Sequence, residues 1–201
     1  MRNEKKERIK EIFYANHGYS STGDISSAGI DRKYLKDLVN EGNIERIKRG
    51  LYRWKDAKFD VEEELINVSK IIPHGIICLE SALSYYKLTT YTPGEYTVAV
   101  HRKYNTKLPD YPPIKLYYFS DKYYIDGVEK IDINGHIIKM YNVEKTICDC
   151  LRYEDKISKD IIVESIKEYV RRRDKNISKL MNYAAKAKVK NAVQKYIEVL
   201  V

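Results

Sequence analysis

Between Ser26 and Arg53 the chain places hydroxyls and cations at spacings suited to gripping a polyanion. Ser26, Ser27, Arg32, Lys33 and Lys36 fall close together, and Lys48, Arg49 and Arg53 follow around an Arg49-Gly50 turn, with Arg46 and Lys55 alongside. Ammonium and guanidinium groups neutralise phosphates and release their counterions. Short polar or cationic side chains reach base edges in the major groove. These residue types therefore point to nucleic-acid binding. A second basic run, Arg171, Arg172, Arg173 and Lys175, continues through Lys179, Lys186, Lys188 and Lys190. It fits either a further nucleic-acid contact or a solvated helix end whose cations offset the helix dipole.

Groups for bond-making chemistry are sparse. His17, His74, His101 and His136 show no metal-ligand spacing, and there is no phosphate-binding loop, nucleophile elbow or zinc-protease motif. Neither a metal nor a cofactor is expected, and the chain does not read as an enzyme. The strings "DGVEKID" and "NGHIIK" come nearest to the acidic and lysine set of a metal-dependent nuclease, in which Glu129 or Asp132 would carry the turnover. Charged hairpins give such strings by chance. Glu80, alone on an apolar helix, reads as a satisfied structural carboxylate. Cys78, Cys148 and Cys150 are an odd number without a second pair, so reduced thiols are expected rather than disulfides or a zinc site.

The residues that could touch nucleic acid need elements to hold them, and the apolar periodicity supplies those. Ile9, Ile12 and Phe13 mark a helix from Glu4 to Asn16, stopped at His17-Gly18. A short helix from Thr22 to Ala28, with Thr22 as its cap, ends at Gly29. Asp31 caps a third, with Leu35, Leu38 and Val39 inward and Gly42 at its end. Ile44 to Lys48 and Leu51 to Trp54 then form a hairpin. Three helices followed by a basic two-stranded ribbon is the order of a winged helix-turn-helix. That order puts Ser26, Ser27, Arg32, Lys33 and Lys36 in the major groove and Lys48, Arg49 and Arg53 on the backbone.

Beyond the ribbon, "KDAKFD" can act as a linker, which divides the chain into a DNA-binding unit over 1–55 and an α+β unit over 56–201. Helices are expected from Asp60 to Ile72 and Cys78 to Leu88. Strands follow at "EYTVAVH", "IKLYYF", "VEKIDI" and "HIIKMY", the last two joined by an Asn134-Gly135 hairpin turn. Helices capped by Asn142, Ser158 and Ser178 complete a helical C-terminal end. The fold class is α+β, with a small, mostly antiparallel sheet.

Charge follows the same division. Residues 1–55 carry 13 Lys and Arg against 8 Asp and Glu, residues 56–155 carry 12 against 16, and residues 156–201 carry 12 against 5. The two ends are basic and the middle is not, as expected of a chain that meets a polyanion through part of its surface. No apolar run reaches the roughly 18–20 residues of a membrane span, and the N-terminus has no signal-peptide core, so a cytoplasmic protein without membrane contact is expected.

Gly29-Ile30, Leu35, Leu38, Gly42, Arg46 and Arg49-Gly50-Leu51-Tyr52, followed by Leu79-Glu80-Ser81-Ala82-Leu83 and "VEKTICDCLRY", resemble the AbiEi-type antitoxins of type IV toxin–antitoxin abortive-infection systems. The resemblance implies a winged helix that represses its own operon by binding inverted repeats in promoter DNA. It also implies a C-terminal antitoxin domain acting in phage defence. The implied partner is a nucleotidyltransferase-like toxin, opposed without a stable complex. Apart from the resemblance, three readings stay open: a nucleic-acid enzyme guided by the winged helix, a solitary regulator with no toxin, and an adapter whose winged helix binds protein.

Overall fold

The computed structural model describes residues 2–16, 18–55, 61–109 and 111–200. The expected linker falls mostly at 56–60 and the expected helix stop partly at His17, both outside the described residues. Helix α1 (Arg2–Ala15) buries Ile9 and Phe13, as its spacing requires. Strand β1 (Tyr19–Ser21) follows, then α2 (Thr22–Ser27), α3 (Lys33–Asn40), β2 (Ile44–Lys48) and β3 (Leu51–Trp54). The three strands form an antiparallel sheet in the order β1-β3-β2. This succession fits a winged helix-turn-helix. Its core is Ile9, Phe13, Ile25, Ile30, Leu35, Leu38, Ile44 and Trp54, with Phe13 and Trp54 edge to face at 5.5 Å between ring centroids.

Two local expectations are corrected. The cap of α2 is Ser21, not Thr22: Ser21 Oγ accepts from Asp24 N–H at 3.1 Å and Asp24 Oδ2 accepts from Ser21 N–H at 2.6 Å. This reciprocal box satisfies two backbone donors at once. At α9 (Ile177–Ala187) the cap is Asn176, which accepts from Lys179 N–H at 2.9 Å, and not Ser178.

The rest of the chain is α4 (Val61–Ile71), β4 (Ile76–Ile77), α5 (Leu79–Tyr85), β5 (Tyr96–His101), β6 (Ile114–Phe119), α6 (Asp121–Ile125), β7 (Val128–Ile133), β8 (His136–Tyr141), α7 (Val143–Arg152), α8 (Lys159–Arg171), α9 and α10 (Lys190–Leu200). Asn142 and Ser158 cap α7 and α8 as expected. Asn134 and Gly135 take φ +52° and +81°, the backbone of a two-residue hairpin turn.

The five strands run in the order β6-β5-β4-β8-β7. The sheet is mixed, which corrects the mostly antiparallel expectation: β5–β6 and β4–β8 are parallel, β4–β5 and β7–β8 antiparallel. A dozen residues separate β5 from β6, enough chain to cross over and return in the same direction. Helices α5 and α7 to α10 pack around a core that includes Leu83, Phe119, Ile147, Ile162, Leu180 and Val193. A further cluster between α4 and the sheet joins Leu65, Val68, Ile72, Val98, Ile138 and Met140. Tyr19 of β1 belongs to this cluster and Ile47 of β2 packs against it, so the N-terminal sheet rests on α4 and the five-stranded sheet. Among the described residues no helix is long and apolar enough to cross a membrane.

Candidate nucleic-acid interface

The turn between α2 and α3 is fixed from several sides. Ile30 is buried and its N–H donates to Ile25 O at 3.1 Å, while Gly29 takes φ +73°, a conformation L-residues rarely adopt. Arg8 of α1 reaches Ala28 O at 3.3 Å. Asp31 Oδ1 accepts from Lys33 N–H at 2.9 Å at the start of α3. That backbone hydrogen bond, with Lys33's charge beside it, holds the Asp31 carboxyl below its usual range.

Leu35 and Leu38 anchor α3 inward, which turns Arg32, Lys33 and Lys36 to solvent, and all three are exposed. Their three- and four-residue separations put them on one face. Ser26 and Ser27, at the end of α2, are exposed as well. Lys33 pairs with Asp31 at 3.3 Å, but both side chains are more than half exposed, and such a pair is too weak to keep the ammonium from a phosphate.

The β2–β3 hairpin, the expected wing, separates its three expected cations. Arg49 is exposed at the tip, where Gly50 takes φ +81°. Gly50 O accepts from Thr22 N–H at 2.9 Å, and a Cβ on Gly50 would meet Thr22 Oγ1 at 3.2 Å. The tip is thereby fastened to the start of α2.

Lys48 does not face outward. Its ammonium donates to Ile71 O at 2.8 Å, at the last residue of α4, and partial burial lowers its pKa. It satisfies one of that helix's terminal carbonyls and joins the wing to α4. Arg53 is 1% exposed and ion-paired with Glu45, its cross-strand neighbour. A guanidinium so enclosed does not meet a phosphate, so Arg53 stays with Glu45 and Lys48 belongs to the joint with α4, and neither lies on the outer face.

Sequence reasoning missed the rest of this joint. Tyr19 OH donates to Asn67 Oδ1 on α4, and its ring meets His136 edge to face at 5.5 Å. Burial pushes the Tyr19 hydroxyl up to about 12, opposed by Arg53. A signal was available at Asn67, a polar residue within the apolar run Leu65, Ile66 and Val68, and 3% exposed.

The second basic run is largely engaged. Arg171 pairs with Glu168 at 2.6 Å and Arg172 with Asp174 at 2.7 Å, Lys179 with Glu144 at 2.9 Å, and Lys186 with Asp126 at 2.8 Å. Arg173 and Lys175 are exposed, and Lys175 donates to Arg172 O at 3.3 Å. The nuclease-like set does not converge. Glu129 lies near Lys179, whereas Asp132 accepts from Gly135 N–H in the hairpin turn, and their odd separation along β7 places them on opposite faces. Glu80 is half-buried, and that burial raises its pKa. Among the described residues no group of three or more His, Cys, Asp or Glu is placed to hold a metal ion.

A search of curated proteins gives no match. The family model described as transcriptional regulator, AbiEi antitoxin, matches residues 7–54, which are α1 to β3 less the first turn of α1. Over that segment, about a quarter of the chain, the sequence is similar to the AbiEi antitoxin family of transcriptional regulators.

Proposed function

We propose that this is a cytoplasmic antitoxin and autorepressor of a type IV abortive-infection system. Residues 1–55 act as a winged helix-turn-helix, and the α+β unit over 56–201 carries the antitoxin activity. The observation that carries the DNA reading is the exposed face of Arg32, Lys33 and Lys36 on α3, in a unit whose wing tip offers an exposed Arg49. Helix α3 enters the major groove with Ser26 and Ser27 at its approach, while Arg49 lies along the backbone. Two copies occupy the arms of an inverted repeat. The partner is a nucleotidyltransferase-like toxin, opposed without a stable complex, and the protein itself performs no catalysis.

A reporter gene placed behind the chain's own upstream region tests this. Co-expression of the wild-type chain represses it, and Lys33→Ala with Arg49→Ala relieves repression at equal protein level. Equal repression by the double variant would remove α3 and the wing tip from the account. Growth rescue from the toxin by that same variant separates the antitoxin unit from the DNA-binding one.

A further inference from the structure

A cavity of about 800 Å³ opens between α4, α5 and the segment 111–113, and none of the residues lining it belongs to the proposed DNA face. We propose that it binds a mononucleotide: a flat base bearing N–H donors, joined to a phosphate. Its volume lies in the range of roughly 300–1,000 Å³ found for small-molecule sites. Tyr85, Tyr86, Tyr96 and Tyr111 all line it, and aromatic rings stack on any base.

Its charged groups come in two sets from different elements. Glu62 and Glu64 lie in the first turn of α4, and Lys87 and Arg172 follow the ends of α5 and α8. Glu64 accepts one tyrosine hydroxyl on each oxygen, from Tyr96 and from Tyr111. Each carboxylate oxygen has a second lone pair, available to the amino or ring N–H groups of a base. The same carboxylates repel a phosphate, which directs it toward the cations. Arg172 shares its charge with Asp174 and donates to Tyr86 O at 3.3 Å. Lys87 supplies most of the attraction.

Lys87 carries a second, independent mark. It takes φ +56° at the end of α5, with its N–H on Ser84 O at 3.0 Å and the following Leu88 N–H on Leu83 O at 2.9 Å. Glycine or asparagine usually holds that position. A lysine kept in a left-handed conformation on a cavity wall is the sort of strain that accompanies function. The walls are also set in advance. Glu164 accepts from Thr89 Oγ1 at 2.6 Å, Thr90 Oγ1 at 2.9 Å and Thr90 N–H at 3.0 Å, fixing the loop that leads to Pro93 and Gly94 on the rim. Preset walls reduce the entropy lost on binding.

Calorimetric titration of the full chain with GMP, AMP, CMP, guanosine and inorganic phosphate, without DNA, tests the site. At least one mononucleotide binds with a Kd below about 1 mM and at least about tenfold more tightly than guanosine or phosphate alone. Lys87→Gly removes the cation and relieves the backbone, so it keeps or raises the melting temperature while weakening the mononucleotide at least about tenfold. Glu62→Gln, on an exposed first turn, changes the preference among the three bases. Absence of saturation by all three mononucleotides overturns the proposal, as does unchanged binding in Lys87→Gly or phosphate binding as tightly as the nucleotide. None of these readouts involves DNA, so failure here leaves the regulator reading standing, and loss of DNA binding leaves this one standing.

Discussion

Arg49 and Arg53 are four residues apart, yet their surroundings give them unlike roles. Arg49→Ala, at an exposed tip, should change stability by no more than about 0.5 kcal/mol. Arg53→Ala leaves Glu45 and Tyr19 without their enclosed partner, and should cost about 2 kcal/mol or more in urea unfolding. Equal stability losses would show that Arg53 is solvated after all. The strand alternation of "LYRW" already places Tyr52 and Trp54 on one face and Leu51 and Arg53 on the other. What it cannot say is what covers the second face, and reading that face as solvent put Arg53 on DNA.

Lys145 and Asp149 extend the point to α7. Both are fully buried, 2.9 Å apart, with Tyr123 OH donating to the carboxylate and the ammonium 3.6 Å from the Tyr123 ring centroid. Burial drives the Lys145 pKa down and the Asp149 pKa up, each opposed by the other's charge. Lys145→Met strands the carboxylate and should cost about 3–5 kcal/mol, and replacing both partners with apolar residues should recover part of the loss. A single variant as stable as wild type would contradict the pairing.

Among the elements, those with several turns or clear alternation were legible. Strands β5 to β8 and helices α1, α3, α4, α7 and α8 lie within a few residues of where periodicity puts them. Strands β1 and β4, of three and two residues, carry no period of their own and exist because longer neighbours pair with them. Strand direction was not legible either, because parallel pairing depends on how the 102–113 segment crosses rather than on the strands it joins. The cap at Ser21 gives a check at this scale. Ser21→Ala removes the acceptor for Asp24 N–H and should cost about 1 kcal/mol in thermal unfolding. No loss there, with a loss in Thr22→Ala, would restore the cap first read from the sequence.

Taken whole, the molecule fastens β1 and β2 to α4 through enclosed or half-enclosed polar groups, Tyr19 with Asn67 and Lys48 with Ile71 O, beside apolar contacts. The exposed face of α3 is therefore presented from a fixed base and not from a loose tether. Enclosed tyrosines, one in this joint and one on β6, also tie stability to alkaline pH. Burial raises Tyr19 from 10.0 to about 12 and Tyr117 to about 12, so between those values the unfolded chain loses protons that the folded chain keeps. Stability is fully present below pH 10 and falls as pH rises toward 12. Absorbance at 295 nm should show a group of tyrosines ionising only as the protein unfolds. Ionisation of every tyrosine near pH 10 in the folded protein would contradict this.

The central claim, that α3 and the wing tip read DNA while Arg53 and Lys48 hold the wing in place, is tested most directly by mobility shift. The probe is the chain's own upstream DNA, titrated at several salt concentrations against an excess of unrelated duplex. The wild type should bind with preference for its own fragment and lose affinity steeply with salt. Lys33→Ala with Arg49→Ala should weaken binding at least about tenfold and flatten the salt slope by one to two contacts, with the melting temperature unchanged. Undiminished affinity in that variant, or equal affinity for the unrelated duplex, would contradict the account.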